Sequence, residues 1–500
     1  MLSHLLCRSW IVGLTASAAL LTSVVDAQTP SAATPPPTPS PTPPGASSSA
    51  DGSTSVDQRL SELTREVEDL KSLVHQLQDQ ISKVAPQQAP APSSATSAEV
   101  SSAQAQPPAA GTAPQTATAA SPNTAADMLH GVTINALLDG YYEYNVNSPV
   151  GRVNYLRAYD VSSNSFSLNQ ADLVVESAPD PPAGKRFGMR LDLQYGQATS
   201  TLQGNPANEL RPDVYRNIFQ AYGTYVFPVD DGLAVDFGKW ASSLGIEGNY
   251  TKDQLNYSRS FWFDFLPFYH MGIRSKLAID DQVAINAWIT NGAEQTEANN
   301  NYKDWLLGLV LTPLTAVSWT LNYYQGQEHP DVVYLQNPGP GEQDLPDEQG
   351  TYILPISNPP NGKLQITDSY ITWQASKALA LAAEADYVQE RLYPYSTPKH
   401  VDGGALYAGY QISAAFALAA RVEYLADIGG LYSGVTQYLK EGTLTFDYRP
   451  KEGFLARIEY RRDQSNRPYF LGHTLDLLEA SQPTIGFGLV WWLGQKQSVW

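Results

Sequence analysis

The segment FLARIEYRRD near the C-terminus alternates charged and apolar side chains. Every second residue from Arg457 to Asp463 is charged, and Ile458 and Tyr460 lie between these charges. Successive side chains of a strand point to opposite faces, so one face of this segment is densely charged and the other is apolar. A near copy, LAARVEYLAD at Leu418–Asp427, repeats the pattern. Rows of fixed charges of both signs that face water can select ions by charge.

Charged residues at equivalent strand positions recur along the chain. We predict that they line the wall of a water-filled interior. The candidate wall residues are Arg190, Asp192, Glu384, Asp386, Arg421, Glu423, Asp447, Arg457, Glu459 and Arg461. An alternative role is structural, because opposite charges on neighbouring strands can form ion pairs. The two roles can coexist.

Metal binding and catalysis have little support in the sequence. The histidines after residue 129 are His130, His270, His329, His400 and His473, and no two of them have the spacing of metal ligands. No Gly-x-Ser-x-Gly elbow, phosphate-cradling loop or paired catalytic motif is visible, and no basic patch points to nucleic acid. We therefore predict no enzyme activity, no metal, no cofactor and no nucleic-acid partner.

The elements that must position the charged residues begin near residue 129. From there the chain repeats a unit of roughly ten alternating residues followed by a turn or loop. We count sixteen such segments, and no run of residues is apolar and long enough for a transmembrane helix. The segments centre on Val132–Tyr144, Phe166–Ser177, Phe187–Gln197, Ile218–Phe227, Leu233–Trp240, Phe268–Ile279, Gln282–Asn291, Trp305–Leu311, Ala316–Tyr324, Leu364–Ala375, Leu379–Val388, Ala405–Ile412, Ala415–Tyr424, Tyr438–Tyr448, Phe454–Arg462 and Thr484–Leu493.

The links between these segments fall into two classes. Links after even-numbered segments are short, as at Asp280–Asp281, and links after odd-numbered segments are long, with Gln325–Lys363 the longest. Short turns at one end and long loops at the other are typical of an antiparallel up-and-down transmembrane β-barrel. We therefore predict an all-β barrel of about 16 strands at residues 129–500, with the charged face towards a wet lumen and the apolar face towards lipid. Tyrosine and tryptophan pairs near segment ends, such as Tyr323–Tyr324 and Trp491–Trp492, fit aromatic girdles at the membrane interfaces.

The N-terminal region differs in composition from the barrel. Residues 1–27 combine a basic Arg8, an apolar run and a small-residue end at Ala27, which indicates a cleaved secretory signal peptide. The single cysteine, Cys7, lies within it. Residues 28–55 and 85–128 are rich in Pro, Ser, Thr and Ala, and we predict that both are disordered.

Residues 56–84 carry a heptad repeat. The predicted coiled-coil seam is Leu60, Leu63, Val67, Leu70, Val74, Leu77 and Ile81. The pattern favours a homo-oligomer, with a trimer slightly preferred over a dimer, although a single amphipathic helix on another protein is an alternative. With an even number of strands both ends of the barrel lie on the short-turn side, so this helix is expected in the periplasm.

The charge balance of the barrel region is acidic. Of 31 basic and 50 acidic residues, 5 and 10 precede residue 129, which leaves 26 against 40. An acidic pore favours cations. Part of this charge lies in long loops such as Gly341–Gly350, so the preference is expected to be weak.

Several stretches resemble the OmpL-like family of outer-membrane β-barrel porins of Gram-negative bacteria. They are Leu137–Pro149, Leu156–Glu176, Gly188–Thr199, Ala221–Glu247, Asn256–Arg274 and Leu455–Ser465. The resemblance covers nearly all of Val132–Trp500 and implies a porin-like barrel in the outer membrane, without catalytic residues or a defined substrate. Such barrels commonly end on an aromatic residue after an alternating strand. Here Lys496 and Ser498 interrupt the alternation before Trp500, and IGFGLVWWL is an alternative assembly signal.

In many porins the third external loop folds into the lumen and narrows it. The corresponding loop here, Ala241–Asp264, contains acidic and basic residues among aromatic ones. Opposed charges at a constriction select solutes by size and charge. The candidate constriction residues are Glu247, Lys252, Asp253, Arg259 and Asp264. The alternative is a loop that packs outward as a lid.

The sequence thus predicts an outer-membrane porin that lets small hydrophilic solutes or ions diffuse passively through an acidic-leaning aqueous pore. Its partners would be outer-membrane lipid, further copies of the chain and the diffusing solutes. An alternative is a structural barrel that tethers the envelope through its periplasmic coiled coil. A third hypothesis, an adhesin, depends only on the length of the Gln325–Lys363 loop.

Overall fold

The structure is a computed structural model that describes residues 131–202, 209, 212–229, 232–336 and 351–496. The predicted signal peptide, coiled coil and linkers lie outside these residues and stay predictions. Within the described ranges, no helix has the length and apolar character needed to cross a membrane.

Sixteen antiparallel strands close into one barrel, which confirms the predicted fold class. They are β1 (Thr133–Asn145), β2 (Ser165–Ser177), β3 (Phe187–Tyr195), β4 (Ile218–Phe227), β5 (Leu233–Ala241), β6 (Tyr269–Ala278), β7 (Val283–Thr290), β8 (Asp304–Leu314), β9 (Val317–Gly326), β12 (Leu364–Gln374), β13 (Leu379–Glu390), β14 (Lys399–Gln411), β15 (Phe416–Ile428), β16 (Gln437–Tyr448), β17 (Phe454–Ser465) and β20 (Ser481–Gly494). Each barrel strand pairs with the next, and β20 pairs with β1 to close the wall.

Short and long links alternate as predicted. Residues 315–316 join β8 to β9, whereas residues 327–363 join β9 to β12. The long link carries a hairpin of its own, formed by β10 (Val332–Gln336) and β11 (Thr351–Pro355). A second small hairpin, formed by β18 (Phe470–Leu471) and β19 (Leu478–Glu479), precedes β20. Among the described residues the links also contain three short α-helices, α1 (Gln197–Leu202), α2 (Pro212–Tyr215) and α3 (Phe261–Phe265), and three 3-10 helices at Val150–Arg152, Pro181–Ala183 and Thr251–Asp253.

The two faces of the wall differ as the alternation predicts. In β16 and β17, Leu444 and Ile458 face outward and are each 55% exposed, whereas Arg457 and Arg461 face inward and are each 1% exposed. An apolar outer surface is what lipid requires.

In each of the pairs Tyr323–Tyr324 and Trp491–Trp492, the aromatic girdle prediction is wrong for one of the two residues. Trp491 is 42% exposed, but Trp492 is 6% exposed and Tyr324 is buried. Because neighbours in a strand point to opposite faces, only one member of each pair can face lipid. Strand β14 also begins at Lys399 instead of Ala405, since Gly403 and Gly404 hide the alternation in the sequence.

Leu444→Arg is expected to destabilise the barrel by about 2–4 kcal/mol, because Leu444 lies near the middle of the lipid-facing side of β16. Tyr438→Arg lies on the same face near the long-loop end of the same strand, where the cost falls to about 0–1 kcal/mol. Urea unfolding from lipid vesicles, followed by tryptophan fluorescence, measures both. Equal costs for the two variants would contradict a membrane-spanning wall at this depth.

Candidate functional site

The third loop, residues 242–268, joins β5 to β6 and enters the barrel. Gly245 N donates to Asp368 Oδ1 at 3.2 Å, and Ile246 N donates to Glu384 Oε1 at 2.9 Å. The acceptors belong to β12 and β13, which do not neighbour β5 or β6 in the wall. The loop therefore reaches across the interior within its first few residues.

The middle of the third loop contacts the strands where the barrel begins. Gln170 Nε2 in β2 donates to Asn249 O at 3.0 Å. Thr251 Oγ1 donates to Asp139 Oδ2 in β1 at 2.8 Å. The loop has thus crossed from the β12–β13 side to the β1–β2 side.

Carboxylates of the last barrel strands accept hydrogen bonds from the loop backbone. Glu459 in β17 accepts from Tyr257 N at 2.6 Å and from Ser258 N at 2.9 Å. Glu423 in β15 accepts from Phe261 N at 2.8 Å. Buried backbone groups need partners, and charged acceptors form the stronger hydrogen bonds. Side chains of the wall therefore replace water as partners of the loop.

Arginines of the wall bind the carbonyl groups of the same loop. Arg421 Nη1 donates to Ser258 O at 2.8 Å, and Arg457 Nη1 donates to Asn256 O at 3.0 Å. Arg461 also donates to a loop carbonyl. A guanidinium has five N–H donors, so it can bind a carbonyl and a carboxylate together.

Arg421 is the centre of a buried charge network. It lies 2.8 Å from Glu247 of the loop, 3.0 Å from Glu423 and 3.3 Å from Glu441. Glu247 also accepts from Ser260 N at 2.6 Å. The predicted constriction residue Glu247 therefore ties the loop both to the wall and to itself.

Arg259 lies inside the loop and is fully buried. It donates to Gly248 O at 3.0 Å and to Tyr257 O and Asn249 O at 2.8 Å each. Its guanidinium lies 4.8 Å from the centroid of the Tyr159 ring. Burial lowers the pKa of Arg259, with the negative groups around it opposing the shift. Its contacts fold the loop upon itself.

The other predicted constriction residues lie at separate places. Lys252 Nζ pairs with Asp253 Oδ1 at 2.7 Å, and burial lowers the pKa of Lys252. Asp264, in α3, accepts from the hydroxyl of Tyr432 at 2.8 Å. The structure therefore brings Glu247 to Arg421 and Lys252 to Asp253, and leaves Asp264 at the β15–β16 link.

Burial raises the pKa of Asp264 from 3.8 to about 6. Below pH 3.8 the carboxyl is protonated in both folded and unfolded chains, so it costs no stability. Between pH 3.8 and about 6 the carboxyl ionises in the unfolded chain but stays protonated in the folded one, so the fold loses stability across this interval, and the loss is complete once the folded carboxyl also ionises. We expect the stability gain of Asp264→Asn over the wild type to grow by on the order of 1–3 kcal/mol across this interval. Urea unfolding of both proteins at each pH measures the difference, and a gain that stays constant with pH would contradict the expectation.

The predicted wall residues all face the barrel interior. Arg190 Nε lies 2.9 Å from Asp192 Oδ1, and Asp192 also accepts from the hydroxyl of Tyr250 in the loop. Arg457 Nε lies 2.9 Å from Asp447 Oδ1. Arg457 and Asp447 lie on neighbouring strands and form an expected cross-strand ion pair, whereas Arg190 and Asp192 lie on the same strand.

Sequence reasoning missed a second buried charge network. Arg157, in the link between β1 and β2, lies 2.8 Å from Asp463 and 3.5 Å from Glu143, and it also pairs with Asp160. Glu143 and Asp463 lie at inward positions of their strands, so the alternation in the sequence could have identified them as residues of the inner wall. Arg157 lies in a loop without alternation, so no local pattern points to it.

Part of the inward face is apolar. Trp240, Trp288, Leu306 and Tyr324 are buried against one another and against Trp262 of the third loop. Apolar surface removed from water stabilises the loop inside the barrel. The inner face of β5–β9 is therefore mixed, because this apolar patch lies beside charged residues such as Asp236 and Arg274.

Two cavities lie beside the loop towards the short-turn end. The first, of about 440 Å³, is lined by Glu247 and Asp253 of the loop together with polar wall residues such as Ser318. The second, of about 420 Å³, is lined by charged wall residues including Arg190 and Arg274.

Comparison with solved structures finds outer-membrane proteins of low sequence identity. OmpT of Vibrio cholerae, expressed in the outer membrane, is 10% identical and covers 72% of this chain and 97% of its own, with a TM-score of 0.45. The outer membrane channel DcaP of Acinetobacter baumannii is 10% identical over 72% and 97%, with a TM-score of 0.43. An anion-selective porin from Comamonas acidovorans is 8% identical over 72% and 99%, with a TM-score of 0.46. No curated protein matches the chain.

A family model described as "Putative beta-barrel porin-2, OmpL-like" matches residues 131–491. The match spans nearly the whole barrel, from the residues before β1 to Trp491 in β20. It confirms the resemblance seen in the sequence. The chain belongs to this OmpL-like family of β-barrel porins.

Proposed function

We propose that the chain is an outer-membrane porin in which the third loop forms the constriction, and that small hydrophilic solutes or ions diffuse through it passively. Membership of the porin family supports the channel. The observation that carries the constriction is the set of hydrogen bonds from the loop to opposite sides of the inner wall, at Asp368 and at Asp139. No covalent step belongs to this function.

The selectivity of the pore would follow from the charges beside the loop. Glu247, Lys252, Asp253, Arg259 and Asp264 are the proposed constriction residues, although Arg259 is enclosed by loop carbonyls and acts through the shape of the loop. The acidic balance of the barrel region supports a weak preference for cations. Charged residues that line the two cavities support a hydrated route on the short-turn side.

The N-terminal region has its own proposed role. Residues 1–27 would direct export, and the seam from Leu60 to Ile81 would join copies of the chain in the periplasm, with a trimer slightly preferred. The support for both is the sequence pattern.

The experiment is single-channel recording of the folded protein in a planar bilayer under a KCl gradient. Steady openings with a cation-biased reversal potential are expected, and openings in multiples of three would support a trimer. Heat-shifted gel mobility verifies that the inserted protein is folded. Silent insertion of folded barrels would contradict the porin function and favour the envelope-tether alternative.

A further inference from the structure

Three buried carboxylates meet on the inner wall beside the start of the third loop. Asp368 in β12 and Asp386 in β13 are register partners, and Glu384 lies two residues before Asp386 on the same face of β13. One carboxylate oxygen from each of the three residues lies within 4.8 Å of an oxygen of the other two. Asp368 is 0% exposed, Glu384 is 4% exposed and Asp386 is 5% exposed. We refer to Asp368, Glu384 and Asp386 as the acidic cluster.

The oxygens of the acidic cluster are unequally satisfied. Each oxygen of Asp368 and of Glu384 accepts one hydrogen bond. The donors are Gly245 N, Asn322 Nδ2, Ile246 N and the hydroxyl of Tyr407. Among the residues that the structure describes, no donor serves either oxygen of Asp386, which lies against the carboxyl group of Asp368, and none serves Oδ1 of the buried Asn322. A carboxylate oxygen offers two lone-pair directions, so every oxygen of the cluster can still accept another partner.

No positive side chain compensates this charge among the residues that the structure describes. The nearby Arg421 is already paired with Glu247, Glu423 and Glu441. Like charges directly opposite each other in a sheet are destabilising, and unpaired buried charges are costly. The cluster therefore lacks a positive partner.

We propose that the acidic cluster binds one divalent cation of the calcium class. Calcium takes six to eight oxygen ligands, mainly carboxylates and amide carbonyls, in flexible geometry. The cluster offers carboxylate oxygens on two strands, and the residues paired with Asp386 and Glu384 on β14 are the small residues Gly403 and Ala405. Because Asp368 and Glu384 also accept from Gly245 and Ile246, the ion fixes the start of the third loop to the wall.

The test is calcium binding to the whole protein, refolded in detergent free of lipopolysaccharide and treated with a chelator. Titration calorimetry is expected to give one calcium per chain with a dissociation constant on the order of 10⁻⁴ M, the range of extracellular calcium modules. Calcium is also expected to raise the unfolding temperature. Asp386→Asn is expected to abolish both effects, and Glu384→Gln provides a second variant should the first fail to fold.

The matched control is Asp172→Asn. Asp172 is likewise a buried carboxylate of the inner wall, but it lies in β2, outside the acidic cluster. It is expected to bind calcium like the wild type. Three outcomes would overturn the proposal: no binding by the wild type, unchanged binding by both cluster variants, or equal loss in Asp172→Asn. Since none of these measurements uses conductance, the result is independent of the proposed porin function.

Discussion

Replacement of residues 247–262 by a short Gly-Ser linker is expected to raise single-channel conductance several-fold. A barrel of sixteen strands has room for an aqueous channel, and here the third loop occupies that space. The wall residues that lose loop partners, Arg421 and Glu459 among them, would gain water in the opened lumen. Planar-bilayer recording before and after the replacement measures the change.

The matched control shortens a different loop at the same end of the barrel. Residues 393–396 lie within the 391–398 link from β13 to β14, and Tyr395 among them is fully exposed. Their removal is expected to leave the conductance unchanged. Heat-shifted gel mobility verifies that the third-loop variant and the wild type are both folded. If their conductances were then equal, the loop would not limit the pore.

Arg421→Leu is expected to destabilise the folded barrel by about 3–5 kcal/mol, the usual cost of removing one partner from a buried charge network. The substitution leaves Glu247, Glu423 and Glu441 without their shared counter-charge and removes a donor to Ser258 O. Urea unfolding in lipid vesicles measures the loss.

Arg274→Leu serves as the comparison. The side chain of Arg274 is 24% exposed and pairs with Asp236 at 2.6 Å, so its loss is expected to cost about 1 kcal/mol. If the two variants were equally stable, the network around Arg421 would contribute no more than an ordinary partly exposed ion pair.

The fold could be predicted because its signals are local. Alternation in segments such as β16 and β17 and the unequal links between strands depend only on neighbouring residues. The parity of a strand also identifies which charged residues face inward, as for Arg457 and Glu459. These signals fix which face a residue is on but not what it contacts there.

The contacts of the site could not be predicted because they depend on the closed barrel. Glu247 meets Arg421 only when the loop crosses the interior to β15, far along the chain. Asp368 was overlooked, since its importance comes from pairing with Asp386 across two strands. Tyr324 is buried because its position in β9 points it inward and because third-loop residues such as Trp262 pack in the same cluster. The second of these causes is visible only in the closed barrel.

The pairing of β1 with β20 joins the first and last strands of the barrel. Every other pairing joins consecutive strands of the wall and can form as the chain arrives, but Asn135 meets Gly494 only after the last strand is available. Contacts between residues so distant in sequence form late, because the chain entropy of closing the ring must first be overcome. The third loop binds strands on both sides of this seam, through Thr251 to Asp139 and through Tyr257 to Glu459. If the third loop binds the sheet before the barrel closes, its contacts hold β1 and β17 near each other. The loop would then favour the final pairing of β1 with β20.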